Sequence, residues 1–152
     1  PFLMAGDVPA LIATLRRMYA SISYQDFTDS YRANIGEFFF RSVLQSFLIG
    51  ACVNVTSEAV TNKGRIDLLA RYGGHNYVIE MKTAEGEAGT RKAVEIGRNQ
   101  IENGNYAGSS TDPIILLIVI DKNERNIGAC VFWRKKVASE VKIQKTRLPL
   151  PE

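Results

Sequence analysis

Asp67, Glu80 and Lys82 are the residues of this chain whose types and spacing suit them to chemistry. The run Tyr77-Val78-Ile79-Glu80-Met81-Lys82 reads as a β-strand, since β-branched and aromatic residues alternate with others between turn signals. Side chains along a strand alternate, so Val78, Glu80 and Lys82 share one face while Tyr77, Ile79 and Met81 share the other. Just upstream, Gly64-Arg65-Ile66-Asp67-Leu68-Leu69 is a second strand candidate carrying another acid. Two adjacent carboxylates do not both stay ionised cheaply without a cation between them. A hard divalent ion meets that need, taking one or two carboxylates and leaving other positions to water and phosphate oxygens. Asp67 and Glu80 suit such an ion if their strands are neighbours, and the Met81 backbone carbonyl between Glu80 and Lys82 is a further candidate ligand. The Lys82 ammonium can orient or activate a water, or neutralise charge on a pentacovalent phosphate. Together they point to metal-assisted hydrolysis of a phosphodiester. The plain alternative is an ion pair on a solvated sheet face, which is worth little.

The elements that must position these residues can be read in order. Residues Val8 to Ala20 have Leu11, Leu15, Met18 and Tyr19 at helical spacing, with Asp7 as cap and Pro9 in the first turn. A polar connection follows. Ser30 to about Ile49 then forms a strongly apolar helix that Gly50 ends, with Phe38-Phe39-Phe40 read as core. Glu37 lies inside that helix, one turn before Arg41, where an ordinary i,i+4 pair is the simple reading. Strands at Val53 to Ala59, Arg65 to Tyr72 and Tyr77 to Lys82, joined at Asn62-Lys63-Gly64 and Gly73-Gly74, form a meander.

Thr83 to Gly89 is polar and glycine-containing and reads as a loop. Thr90 to about Asn103 reads as a helix, with Gln100 expected on its inner face because it follows Ile96 and Gly97 at helical spacing. Ile114 to Asp121 is a near-continuous apolar strand of the kind buried on both faces. Ala129 to Arg134 pairs next, and Val137 to Thr146 is an edge strand or a short helix. The order of elements predicts a mixed α/β fold with helices on both sides of a central sheet.

A length of 152 residues suits one domain with a full core. A net charge of +3 permits a polyanionic partner without demonstrating one. The basic residues Arg134, Lys135, Lys136, Lys142, Lys145 and Arg147 are either a solvated face or a track for a phosphate backbone. Cys52 and Cys130 make neither a metal-ligand spacing nor a disulfide framework, and read as free thiols in a reducing, cytoplasmic setting. The longest apolar run, Ile114 to Ile120, is far short of the roughly 20 residues a membrane helix needs. A first residue of Pro1 suggests a fragment of something longer.

Gly64-Arg65-Ile66-Asp67, then Ile79-Glu80-Met81-Lys82, then Gln100-Ile101 with Tyr106 resembles the PD-(D/E)XK nuclease superfamily. The likeness is closest to the branch found at the C-terminus of AAA-ATPase-like proteins of bacteria and archaea, which has a run similar to Tyr19-Ala20-Ser21-Ile22-Ser23-Tyr24 before its first core helix. The resemblance covers nearly the whole chain up to about Arg134. The proline of the family name is replaced by Ile66. No Gly-x-x-x-x-Gly-Lys-Ser/Thr phosphate loop is present, so any ATPase part lies outside this chain.

The resemblance implies a restriction-endonuclease-like αβββαβ core with a mixed central sheet flanked by helices. It divides the chain into an N-terminal helix and connection at 1–29, a remnant of an upstream domain, a nuclease-like domain at 30–147 and a tail at 148–152. It makes Asp67 and Glu80 the acids that bind Mg²⁺ or Mn²⁺, with the Met81 carbonyl and Glu37 as further ligands. Lys82 becomes the catalytic lysine, and Gln100 a residue contacting the attacking water or scissile phosphate. The expected partner is nucleic acid, DNA foremost, and no membrane. An upstream ATPase domain in the full-length protein and a homodimer are further expectations. The alternative is a non-cleaving nucleic-acid- or protein-binding module of the same fold attached to an ATPase.

Overall fold

The computed structural model describes residues 5–22, 36–51, 53–61, 64–104, 113–135 and 137–143. Among the described residues, three helices and six strands follow one another as α1 (Val8–Ala20), α2 (Glu37–Gly50), β1 (Asn54–Thr61), β2 (Gly64–Tyr72), β3 (His75–Ala84), α3 (Gly86–Asn103), β4 (Ile114–Asp121), β5 (Asn126–Arg134) and β6 (Val137–Glu140). The strands form a single mixed sheet in sequence order. Neighbours are antiparallel except β3 and β4, which run parallel and are joined through α3. This is the mixed α/β architecture that the order of elements leads one to expect, and it is consistent with the restriction-endonuclease-like core that the resemblance implies.

Strand alternation divides the core in two. Tyr77, Ile79 and Met81 of β3 join Leu116, Ile118 and Ile120 of β4 in a cluster covered by Leu11, Leu15, Phe40 and Leu44 of α1 and α2. Leu117 and Val119 face the opposite way and pack with Val131, Trp133 and Ile101. The β3–β4 register sets Glu80 beside Leu117 and Lys82 beside Val119. The reactive face of β3 is therefore the face that α3 covers.

α1 begins as expected, with the Asp7 carboxylate accepting from the Ala10 amide at 3.1 Å and a proline in the first turn. Far from standing apart, the helix is built into the core: Val8, Leu11, Ile12, Leu15 and Tyr19 are all buried. The Tyr19 hydroxyl donates to the Phe40 carbonyl at 2.7 Å and so ties α1 to α2.

The expected loop at Thr83 to Gly89 is a correction. β3 runs on to Ala84 and α3 already starts at Gly86. Glycines and polar residues suggested a loop, but here they serve a tight strand-to-helix joint. Gly86 takes φ +72°, the left-handed region that suits glycine. Its amide donates to Asp121 Oδ1 at 3.1 Å, so the acid ending the adjacent strand β4 caps α3. Val137 to Thr146 resolves as a short edge strand through Glu140, with residues beyond 143 outside those described. Residues 30–35 of the expected second helix likewise lie outside them, as do Cys52 and Tyr106. Cys130 is a free, buried thiol, and burial pushes its pKa up to about 12. No helix among the described residues is long and apolar enough to cross a membrane.

Gly97 lets α3 lie close on the sheet. A Cβ there would meet Leu117 Cδ1 at 2.6 Å and Cδ2 at 2.7 Å, and Leu117 is fully buried beside Glu80. Replacing Gly97 by valine should therefore destabilise the fold by about 1–3 kcal/mol through overpacking. Chemical denaturation of the two proteins measures the difference, and an unchanged midpoint would show that the layer yields freely.

Candidate active site

The site is created by a fork in the sheet. β2 and β3 pair from Tyr72↔His75 up to Leu68↔Ile79 and then part, while β2 stays paired with β1 as far as Gly64. The next residues along, Asp67 and Glu80, stand on either side of the opening. Asp67 fills the missing rung with its side chain: Oδ2 accepts the Met81 amide at 2.9 Å. Because a strand residue turns its N–H and C=O toward the same neighbour, the Met81 carbonyl faces the opening as well.

Glu80 is 4% exposed. Its Oε1 accepts from Lys82 Nζ at 3.1 Å, which brings acid and amine together as their shared face implies. Its Oε2 is buried with no hydrogen-bond partner. Burial raises the Glu80 pKa first, and the charge of Asp67 raises it further, against the hydrogen bond and charge of Lys82; Glu37 adds to the upward push.

Glu37 opens α2, where the positive end of the helix dipole favours an acid. Burial raises its pKa, Asp67 raises it further, and Lys82 and Arg41 pull it down. Glu37, Asp67 and Glu80 thus lie within one another's electrostatic reach, brought there from a helix and two diverging strands. Among the described residues, no three His, Cys, Asp or Glu side chains converge tightly enough to hold an ion as they stand. The side chains of Lys82 and Arg41 lie against the acids instead.

Arg41 is the participant that sequence reasoning missed. One turn after Glu37, whose charge it offsets, Arg41 also reaches β2, with its Nη1 3.3 Å from Asp67 Oδ1. The signal available in the sequence was its i,i+4 spacing from Glu37 on a helix that also carries the apolar core face. Its guanidinium also sits 5.6 Å from the centroid of the Phe38 ring. Phe38 itself was expected in the core and is 72% exposed; only Phe40 of the aromatic run is fully buried. A helix buries one face, and three consecutive residues cannot all lie on it.

Gln100 requires a second correction. It is exposed, and Ile96, the residue that suggested an inner face, is 53% exposed. Thr90, Gly97 and Ile101 are the buried positions of α3. Gln100 therefore sits on a flank of the helix, one turn beyond the contact of Gly97 with Leu117.

The unpartnered Glu80 Oε2 is the feature that bears on a metal. A buried anionic oxygen without a donor is costly, and a further acid on either side makes it more so. A divalent cation is the group such oxygens accept, and the donor set, carboxylates with a backbone carbonyl, is the hard oxygen set that Mg²⁺ or Mn²⁺ takes. The residues present fit the ion.

A family model described as PD-(D/E)XK nuclease superfamily matches residues 35–130. An uncharacterized protein in the vnfD 5' region of Azotobacter chroococcum mcd 1 is similar to this chain, with 34% identity over 86 residues, 55% of the chain. The chain spans 16% of the length of that relative.

Proposed function

The chain belongs to the PD-(D/E)XK nuclease superfamily, and on that premise we propose that it is a divalent-metal-dependent nuclease hydrolysing DNA phosphodiester bonds. The observation that carries this reading is the buried, unpartnered Glu80 Oε2 at a fork that also gathers Asp67, Glu37 and Lys82.

Asp67, Glu80, the Met81 carbonyl and Glu37 would hold Mg²⁺ or Mn²⁺, which supplies charge neutralisation at the scissile phosphate and acidifies a water. The remaining work belongs to the chain. Glu80 Oε1 anchors Lys82 Nζ on the same strand face, so the ammonium is aimed without a long search among rotamers. The Lys82 side chain is 27% exposed, enough to meet substrate while keeping its partner. Positioned in this way, its ammonium stabilises negative charge developing on the phosphate and orients the attacking water. The Met81 amide fixes Asp67 through Oδ2, and Oδ1 accepts from Arg41 Nη1 at 3.3 Å. Gln100, on the open flank of α3, offers an amide to the phosphate or the water.

The surface suits a polymer. The clefts lined by Arg16, Thr90 and Asp121, and by Ile12, Arg17 and Lys142, contain none of these site residues. A small-molecule substrate needs an enclosing pocket; a nucleic-acid backbone can lie across the open fork between β2 and β3.

The test uses purified chain with supercoiled, linear, single-stranded and branched DNA, in Mg²⁺, in Mn²⁺ and in chelator. Cleavage is expected with either metal and none in chelator. Asp67→Asn should lower the rate at least about a hundredfold, the scale of losing one charged stabiliser. DNA retention without cleavage by the wild type in either metal would identify a binding module and sink the reading.

A further inference from the structure

Every oxygen of Asp67 is already engaged: Oδ2 by the Met81 amide and Oδ1 by the Arg41 guanidinium. The first contact fixes the carboxylate to the strand. The second occupies the oxygen that would turn to a cation. Arg41 and Asp67 are 13% and 16% exposed, so water screens the pair only weakly. In that same position the Arg41 guanidinium also lies over the face of Phe38. That ring is 72% exposed, unusual for an aromatic on a helix whose other face is core.

We propose that Arg41 is a built-in counter-ion for Asp67, exchanged for the divalent cation when the metal site fills. This rests on the metal-nuclease reading and adds to it a residue that reading does not include. In the metal-free protein the guanidinium offsets the charge of Asp67, beside Glu37 and Glu80. Entry of a divalent cation supplies more positive charge at the same point, and the two cations repel. The guanidinium then leaves Oδ1 and stays over Phe38, where an exposed aromatic face holds it at the mouth of the site. Arg41 thus sets how much metal is needed, and Phe38 keeps the displaced charge close to where a phosphate backbone would run.

Three measurements on the chain test this. Calorimetric titration with Mn²⁺ compares wild type, Arg41→Gln and, as a charge control, Arg98→Gln, whose guanidinium pairs with Glu140 instead. Removing the competitor should tighten Mn²⁺ binding about tenfold in Arg41→Gln and leave Arg98→Gln unchanged. Thermal melts supply the second readout. Arg41→Gln should melt earlier than wild type in chelator, and saturating Mn²⁺ should close the gap. The third readout separates exchange from a mere charge effect: in wild-type protein labelled at arginine nitrogen, adding Mg²⁺ should shift the Arg41 guanidinium signal and speed its hydrogen exchange. Equal Mn²⁺ affinity of wild type and Arg41→Gln, or an Arg41 signal unmoved by Mg²⁺, overturns the exchange while the metal reading stands. Failure of all three proteins to bind Mn²⁺ overturns both.

Discussion

Replacing Lys82 by methionine is expected to abolish most DNA cleavage while leaving Mn²⁺ binding intact. Methionine keeps the unbranched stem and its packing but removes the ammonium. Loss of one preorganised charge aimed at a developing oxyanion costs roughly a hundred- to a thousandfold in turnover, about 2.7–4 kcal/mol. Metal binding should be equal to or tighter than wild type, because Glu80 Oε1 loses the cation now 3.1 Å away. The two readouts therefore part company at Lys82, whereas at Asp67 they should fall together. Single-turnover cleavage at saturating Mn²⁺, set beside calorimetric affinity, distinguishes them. Wild-type turnover in Lys82→Met would remove the lysine from the chemistry.

Replacing Glu80 by glutamine should stabilise the metal-free protein at neutral pH, an unusual result for a buried residue with a good hydrogen bond. The sign follows from protons. Burial, then Asp67, raises the Glu80 pKa above its ordinary 4.5, so the folded state binds this proton more tightly than the unfolded chain. Stability is greatest below the unfolded value and is lost as pH climbs through the raised folded one. Glutamine is neutral throughout and keeps an oxygen for Lys82. In chelator the variant should gain about 1–3 kcal/mol near pH 8, the scale of taking the charge off a buried group that stands beside a second acid. That corresponds to several degrees in melting temperature. The advantage should shrink toward pH 5 as Glu80 takes up its proton. Excess Mn²⁺ should reverse the order, because the ion binds the native wild type and stabilises it by mass action. Parallel melting curves at pH 5 and pH 8 would show that Glu80 is not under strain.

The contrast between these residues shows what could be read before the fold was known. Glu80 and Lys82 were legible as neighbours because strand periodicity is short-range: residues two apart must share a face, whatever the sheet does, whereas Asp67 joins them only through the pairing of β2 with β3. Other local patterns were as legible: a continuous apolar run put Ile114 to Asp121 in the sheet interior, and helical spacing after a capping acid put Val8 to Ala20 in a helix. Arg41 was not legible, since its partner lies across the fork and no local pattern records a gap in a ladder. Gln100 falls outside because one glycine against Leu117, rather than the larger Ile96, decides which face of α3 meets the sheet. Asp121 hides its role for a related reason. A strand's terminal acid looks like a turn residue until the helix it caps arrives from elsewhere in the chain.

The buried face of α1 has a consequence for ancestry. Residues 35–130 carry the inherited likeness, yet Leu11, Ile12, Leu15 and Tyr19 lie wholly inside the protein, and one hydroxyl bolts them to Phe40. The module that evolution copies and the unit that folds therefore have different borders here. Cutting the gene at the border of kinship would strip the roof from half of the sheet, so a chemist wishing to transplant this fold must carry the helix along with it.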